Sequence, residues 1–292
     1  MTANGGTKDV LKRVGFLSDL GLWAALPREA DPRGWLSNFD DSEDQAIAVA
    51  LLRSFIYVSR DLTDQLVLSA IQGVYGATPV RTPLDWASFL NTTLLTYPTS
   101  RKSDAAASGH LFLRAARDQV GFREDQLVDP RDLVSRIEAA DHPQSVVFVD
   151  DIAASGSQFI DTVVRKEAPG ANSIAELLTG GLISTLVYAP AIATSYALRQ
   201  IRELTPIRDI KPAHILPGDY SASDPLTRLV PEERRNALES FLQRYADSAG
   251  YNETEPYGYH RLGLAIGFEH KIPDATLPLF RSIKNDWTPL FR

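Results

Sequence analysis

Cysteine is absent from the 292 residues of this sequence. Its absence excludes disulfide bonds, thiolate metal sites and cysteine nucleophiles. Long apolar runs are also missing, because no stretch approaches the ~18 consecutive apolar residues of a membrane-spanning helix. The first residues, MTANGGTKDVLKRVG, lack the apolar core of a signal peptide. We therefore expect a cytoplasmic protein with no membrane partner.

A positive net charge is lacking as well. Asp and Glu number 37 against 30 Lys and Arg, which gives a formal net charge of −7. This balance disfavours a general nucleic-acid coat protein, although a local basic patch remains open. Hydrophobic residues make up 44% of the chain, enough for a sizeable core in one large domain or in a domain with an extension.

Two nucleotide-binding motifs are missing from the sequence. There is no G-x-x-x-x-G-K-[ST] loop, so a nucleotide triphosphatase of the P-loop type is not supported. There is no G-x-G-x-x-G either, so a dinucleotide-binding Rossmann fingerprint is not supported.

The pattern of apolar residues in the sequence changes near residue 80. Residues 1–80 carry apolar side chains at helical spacing, most strongly over 41–59. From residue 81 onward, apolar strands alternate with helical segments, which predicts βαβ units. The predicted fold is α/β, with a central, mostly parallel sheet flanked by helices. Its predicted domains are a helical extension, 1–80, and an α/β domain with a C-terminal strand and tail, 81–292; predicted strands lie at 92–97, 126–128, 146–149, 182–188, 213–216 and 262–268.

The most informative segment is SVVFVDDIAASGSQ, residues 145–158. Its apolar run is typical of a strand buried on both faces, and it ends in Asp150 and Asp151. Burying two carboxylates inside a strand is costly, so we expect both acids at the strand's mouth. Ligands of open α/β sheets bind at that edge. There the acids can accept hydrogen bonds from sugar hydroxyls or hold Mg²⁺.

Small residues after the two acids predict an anion-binding loop. Ala154, Ser155, Gly156 and Ser157 let backbone N–H groups close on an anion, and the following helix adds a favourable dipole at its N-terminus. The two serine hydroxyls can donate further hydrogen bonds. The alternative interpretation is a plain strand whose acids cap a helix.

A second loop, residues 97–110, follows the first strand of the predicted sheet. It contains two cations, Arg101 and Lys102, and then Ser108 and Gly109 before a helix. The positive charges of these two side chains and the backbone N–H groups at the start of the helix together indicate a second anion site. A solvated, flexible loop is the alternative, and a single histidine such as His110 is more often structural.

On these residues the chain resembles the type I phosphoribosyltransferases. The resemblance implies that Asp150 and Asp151 contact the ribose of phosphoribosyl pyrophosphate, act in catalysis and hold Mg²⁺. It also implies that Arg101, Lys102, Ser108 and Gly109 bind the pyrophosphate. The 5′-phosphate would be bound by Ala154, Ser155, Gly156, Ser157 and Gln158.

Three positions depart from the family pattern. Gln158 stands where the family usually has Thr, and Ser157 where it often has Gly. Ala154 occupies the position of a catalytic Asp in the purine-salvage branch. This last departure argues against purine-base transfer by that branch's acid–base route.

The aromatic and proline-rich tail, residues 257–292, adds a second resemblance. It resembles a phosphoribosyltransferase-like group of bacterial conflict and anti-phage systems, including some retron cassettes. We expect the tail to pack back on the domain and Trp35 to Phe39 to plug a core between helices. The segments that carry the resemblance are Phe268-Glu269-His270, Leu277-Pro278, Trp287-x-Pro289-Leu290 and Trp35-Leu36-x-x-Phe39.

The resemblance implies an effector of anti-phage defence that binds a small phosphorylated ligand, namely phosphoribosyl pyrophosphate or a nucleotide. It also implies a protein partner in a defence complex, such as a reverse transcriptase with its nucleic acid. Two alternatives stay open. One is a catalytically inactive subunit that senses nucleotides or binds a partner, and the other is a toxin of the same fold that acts as a nucleotide hydrolase or glycosidase.

Overall fold

The computed structural model describes residues 3–25, 29–76, 82–99, 109–251 and 255–291. The chain forms two compact units: a terminal unit of Met1–Arg60 with Pro217–Arg292, and a central unit of Asp61–Leu216. The sequence placed a domain boundary near residue 80 instead. A compact unit is not the same thing as a domain, so the helical extension over 1–80 stays a prediction.

The described residues alternate between helices and short strands. The strands are β1 (Ile56–Val58), β2 (Thr93–Thr96), β3 (Gln144–Ala153), β4 (Ile183–Thr194), β5 (Asp209–Ile210), β6 (His214–Leu216) and β7 (Ile266–Phe268). The helices are α1 (Ala3–Asp19), α2 (Pro32–Leu36), α3 (Ser42–Ser54), α4 (Arg60–Gly73), α5 (Pro83–Thr92), α6 (Gly109–Val120), α7 (Leu133–Glu138), α8 (Ser157–Val164), α9 (Ile174–Thr179), α10 (Ser195–Leu204) and α11 (Arg235–Ser248). No helix of the described residues combines the length and the apolar character that a membrane span requires.

Helix starts follow the local sequence. Asp41 accepts hydrogen bonds from the Glu43 and Asp44 N–H groups at the start of α3. Ser173 and Glu176 form a capping box at the start of α9, each side chain accepting a hydrogen bond from the other residue's N–H group. Such caps satisfy N–H groups that have no partner inside the helix, at about 1 kcal/mol each.

A five-stranded parallel sheet forms the middle of the central unit. The strand order is β2-β3-β4-β5, and β6 pairs with the C-terminal residues of the long strand β4. One face of the sheet packs against α7, α8, α9 and α10 in a shared core. This arrangement confirms the predicted α/β fold with a parallel sheet flanked by helices.

One strand prediction and one helix prediction were wrong in detail. The strand predicted over 126–128 is reduced to an isolated parallel bridge between Leu127 and Leu95 of β2. Gln126 instead closes a 3₁₀ turn, in which its side chain accepts from the Arg123 N–H at 2.9 Å and donates to the Thr93 carbonyl at 2.8 Å. Local side-chain bonds of this kind compete with a strand ladder. The helix predicted over 41–59 ends at Ser54, because the next residues pair as β1 with β7. Strand β7 accordingly belongs to a separate two-stranded sheet.

The terminal unit is built around aromatic rings. Trp35 and Phe39 are fully buried, and the Trp35 ring stacks on Phe280 with centroids 4.9 Å apart. Tail residues Trp287 and Leu290 are buried in the same core. Both expectations are therefore confirmed: the tail packs back onto the protein, and the Trp35 segment is a core plug.

Candidate functional site

Strand β3 carries both predicted acids inside its length. It continues beside β4 past Asp150, which aligns with Pro190, to Ala153, whereas β2 ends beside Phe148. The expectation that the acids follow the strand's end was therefore wrong in detail. They lie where β3 has lost its β2 neighbour and keeps only β4, at the carboxyl end of β2. Ligands of open α/β sheets bind outside this edge.

The Asp150 carboxylate is held in a defined orientation by two donors. The Tyr188 hydroxyl donates to Oδ2 at 2.8 Å, and the Asp151 N–H donates to Oδ1 at 2.9 Å. Tyr188 is itself fixed, because its buried ring stacks on Phe159 of α8 with centroids 4.0 Å apart. Burial, followed by the negative charge of Asp150, raises the pKa of Tyr188 well above its ordinary value. The tyrosine therefore stays a donor at physiological pH.

Asp151 differs from its neighbour in both exposure and direction. Its side chain is fully buried, and its Oδ1 accepts the Ile152 N–H at 2.7 Å. Successive residues of a strand point to opposite faces, so the two carboxylates do not converge on one point. Asp150, which is half-buried, is the acid that a ligand can reach.

The residues that the structure describes offer few protein ligands for a Mg²⁺ ion. No group of three or more His, Asp or Glu side chains comes together among the residues that the structure describes. Mg²⁺ commonly keeps several waters and takes one or two carboxylates plus phosphate oxygens of a substrate. The site thus fits a Mg²⁺ ion bound mainly through ligand oxygens and water, with Asp150 as the accessible carboxylate.

The turn between β3 and α8 has a backbone shape that requires glycine. Gly156 adopts φ +79°, and a Cβ there would come within 3.0 Å of the Ile201 side chain. Two residues before Gly156, the Ala154 carbonyl accepts the Thr194 hydroxyl at 2.6 Å. Thr194 also caps α10 by accepting the Ala197 N–H at 3.0 Å. The turn is therefore anchored to both β4 and α10.

The two serines of the turn interact with each other. The Ser155 hydroxyl donates to the Ser157 oxygen at 3.1 Å and accepts the Ser157 N–H at 3.3 Å. Ser155 is buried, Ser157 is half-buried and Gln158 is exposed at the start of α8. Small residues at the N-terminus of an eight-residue helix form the arrangement that anion binding uses.

Helix α8 also holds the chain at the end of β2. The Gln158 side-chain amide donates to the Pro98 carbonyl at 3.1 Å. The Thr162 hydroxyl accepts the Thr99 N–H at 3.0 Å, and its single hydrogen is shared between the Gln158 carbonyl at 2.7 Å and the Thr99 carbonyl at 3.0 Å. Arg165 reaches the same carbonyl at 3.4 Å. The segment that follows β2 is thus bonded directly to α8 and to Arg165 at its C-terminal end.

Most of the predicted second anion loop lies outside the described residues. Arg101, Lys102 and Ser108 fall there, so their roles stay predictions. Gly109 is buried at the start of α6, and a Cβ on it would overlap the Tyr97 ring. The Tyr97 hydroxyl is paired with His110 Nε2 at 2.8 Å, which gives this histidine a structural partner.

Sequence reasoning missed the residues that support the site from other elements. Tyr188, Thr194 and Thr162 act through partners 38, 40 and 63 residues away along the chain. Nothing local distinguishes them. Thr96 was missed too: it is fully buried at the end of β2, and its hydroxyl has no hydrogen-bond partner in the part of the chain that the structure describes.

Comparison with known proteins points to one family. Residues 32–292 match the model of the family described as PRTase-CE. The match includes the aromatic segment at Trp35, the Asp150 loop and the tail. Curated proteins give no significant match to the chain.

Proposed function

We propose a function from one premise: this chain belongs to the PRTase-CE family, the phosphoribosyltransferase-like proteins of conflict systems. Its ligand is phosphoribosyl pyrophosphate or a nucleotide with a 5′-phosphorylated ribose, and its setting is anti-phage defence. The observation that carries the proposal is the oriented Asp150 carboxylate, which is followed closely by the Gly156 turn and the start of α8.

The proposed binding mode assigns one chemical task to each element. Asp150 accepts hydrogen bonds from the ribose hydroxyls, because the bond from Tyr188 holds its carboxylate in one orientation rather than leaving it free to rotate. The N–H groups and hydroxyls of residues 154–158 bind the 5′-phosphate with help from the helix dipole. Asp151 supports the strand end from its buried position and reaches the ligand less directly.

The proposed reaction is transfer of the phosphoribosyl group. The bond between C1′ and the pyrophosphate oxygen breaks, the electron pair leaves with pyrophosphate, and a nucleophile bonds to C1′. Positioning of the ribose and stabilisation of the developing charge lower the barrier. Mg²⁺, when bound, supplies charge neutralisation on the departing pyrophosphate. The cations and helix-start amides at Arg101, Lys102, Ser108 and Gly109 are proposed to bind the same group.

One observation favours a non-catalytic alternative. Ala154 has no side chain that can move a proton, and its carbonyl is committed to Thr194. A chain that binds the ligand without transferring it would sense nucleotides for a partner, such as a reverse transcriptase with its nucleic acid. A toxin that hydrolyses nucleotides would use the same anchors with water as the acceptor.

Calorimetry with phosphoribosyl pyrophosphate and Mg²⁺ tests the proposal. We expect the wild type to bind, Asp150→Asn to weaken binding at least about tenfold, consistent with a lost charge-assisted bond, and Asp141→Asn, an exposed acid of the same unit, to have no effect. Asp151→Asn is a poor probe, because this buried acid can affect folding. Absence of binding to the wild type, both for this ligand and for 5′-phosphorylated nucleosides, would overturn the proposal.

Pyrophosphate release separates the three functions. Release that requires an added acceptor indicates a transferase, and release in buffer alone indicates a hydrolase. Binding with no release under either condition indicates a sensing subunit. Defence assays in cells with Asp150→Asn then show whether ligand binding matters for protection.

A further inference from the structure

Helix α8 contacts the backbone at the end of β2 through side chains from successive turns. Gln158 and Thr162, one turn apart, bond to Pro98 and Thr99 respectively, and Arg165 adds a third side chain. Thr162 is 4% exposed, and its hydroxyl oxygen accepts the Thr99 N–H at 3.0 Å, while its single hydrogen is shared between the Gln158 carbonyl at 2.7 Å and the Thr99 carbonyl at 3.0 Å. Paired donor and acceptor contacts hold a backbone segment in one orientation.

The same segment is anchored from its other side. The Tyr97 hydroxyl is paired with His110 Nε2 at 2.8 Å, and its ring lies against Gly109. Residues 97–99 are therefore held between α6 and α8. A displacement of α8 at its first turn must strain the bonds to Pro98 and Thr99, because the segment cannot follow freely.

The Gln158 side chain bonds to the segment of residues 97–99, and the Gln158 backbone belongs to the first turn of α8. The side-chain amide is engaged with the Pro98 carbonyl at 3.1 Å, and the backbone carbonyl accepts the Thr162 hydroxyl at 2.7 Å. Gln158 therefore links residues 97–99 to the first turn of α8, which directly follows the turn of residues 154–156, here called the phosphate turn. The Gln158 side chain is thereby directed to Pro98 rather than towards the turn.

We propose that Gln158 and Thr162 are positioning residues that couple the phosphate turn to residues 97–99. Binding of a phosphate at the start of α8 and the order of the Thr99 backbone then depend on one another. The ligand half of this inference rests on the proposed function, whereas the coupling between the two segments does not. Coupling between sites is reciprocal, so loss of the bonds lowers phosphate affinity as well as order at Thr99.

Amide hydrogen exchange at Thr99 tests the coupling without any ligand. Thr162→Val removes the acceptor of the Thr99 N–H with little change in shape, and we expect exchange there to rise at least about tenfold. Thr162→Ser keeps the hydroxyl and should restore slow exchange. Val164→Ala, on the exposed side of α8, is the matched control and should leave exchange unchanged. Unchanged exchange in Thr162→Val would overturn the coupling.

Ribose 5-phosphate is the probe for the ligand half. In the wild type it should slow exchange at Thr99. Gln158→Met, which changes an exposed side chain and should fold normally, should abolish this slowing and weaken ribose 5-phosphate binding about fivefold or more. Equal affinity and equal slowing in the two proteins would overturn the role of Gln158. Failure of the wild type to bind ribose 5-phosphate would overturn the ligand half together with the proposed function, while exchange in Thr162→Val still decides the coupling.

Discussion

Tyr188 donates its hydroxyl hydrogen to Oδ2 of Asp150 across 2.8 Å, from a fully buried position on the neighbouring strand. The bond fixes the accessible carboxylate of the candidate site. Because the Tyr188 ring stacks on Phe159, the same tyrosine also joins β4 to α8. The orientation of Asp150 and the packing of α8 therefore depend on one buried residue.

Tyr188→Phe should separate these two tasks. The ring remains, so stacking on Phe159 persists, while Asp150 loses a donor. We expect a loss of about 1 kcal/mol in the free energy of unfolding and weaker binding of phosphoribosyl pyrophosphate, measured by denaturant titration and calorimetry. Tyr259→Phe, which removes an exposed hydroxyl, is the control. Unchanged binding in Tyr188→Phe would show that Asp150 does not need this orientation.

Gly156→Ala should damage the turn more than a comparable glycine change elsewhere. Gly170 has a similar φ of +82°, but a Cβ added there would meet open space. A Cβ added to Gly156 would lie 3.0 Å from the Ile201 side chain. We expect a loss of about 1 kcal/mol for Gly170→Ala and about 2 kcal/mol for Gly156→Ala. Thermal melts measure both values. Equal losses would mean that the contact with α10 does not constrain the turn.

Thr96 and Thr93 should respond in opposite ways to valine. Both are fully buried in β2, but the Thr93 hydroxyl donates to the Phe89 carbonyl at 2.6 Å and the Thr96 hydroxyl has no partner among the described residues. Thr93→Val should cost about 1 kcal/mol of stability, while Thr96→Val should be neutral or stabilising. A destabilised Thr96→Val protein would indicate that a water or a ligand satisfies this hydroxyl.

Trp35 and Trp287 share one hydrogen-bond acceptor. Their indole N–H groups donate to the Leu279 carbonyl at 2.7 and 2.9 Å. In Trp35→Phe or Trp287→Phe alone, the other indole still satisfies this buried carbonyl. The double variant leaves it unpaired, so the double loss should exceed the sum of the single losses by about 1 kcal/mol. A double-mutant cycle in denaturant measures this, and strict additivity would contradict it.

Alkaline pH should destabilise the terminal unit. Burial, followed by the charges of Glu269 and Glu29, raises the pKa of Tyr57 to about 12. The unfolded chain releases this proton near pH 10 and the folded chain does not, so the stability is complete below pH 10 and falls as the pH rises towards 12. Between pH 9 and pH 11, Tyr57 alone should account for a loss of about 1 kcal/mol in the free energy of unfolding. Denaturant titrations at pH 9 and pH 11 measure the loss, and Tyr57→Phe should reduce it.

Much of the central unit could be predicted because its signals are local. The apolar run at residues 146–149, the helical stretches around it and the aromatic tail indicate a parallel sheet and a buried tail. The structure shows both. Strand β1 could not be predicted in this way, because its three residues continue an apolar helical pattern and become a strand only beside β7.

The acids show the same limit within the site. The sequence alone predicted that the two acids follow an apolar run and that a glycine turn comes after them. That β3 continues to Ala153 depends on pairing with β4, which no local pattern reveals. The different exposure of Asp150 and Asp151 follows from that continuation, since a strand sends neighbouring side chains to opposite faces.

By itself the sequence determined the α/β class, the order of strand, acids, glycine turn and helix, and the family. These depend on side-chain periodicity and on residues close together along the chain. Only the tertiary structure decided that Tyr188 orients Asp150, that Thr194 anchors the turn and that Gln158 and Thr162 hold residues 97–99. Each of those bonds joins residues 38 or more positions apart, and they can form only after the strands have packed side by side.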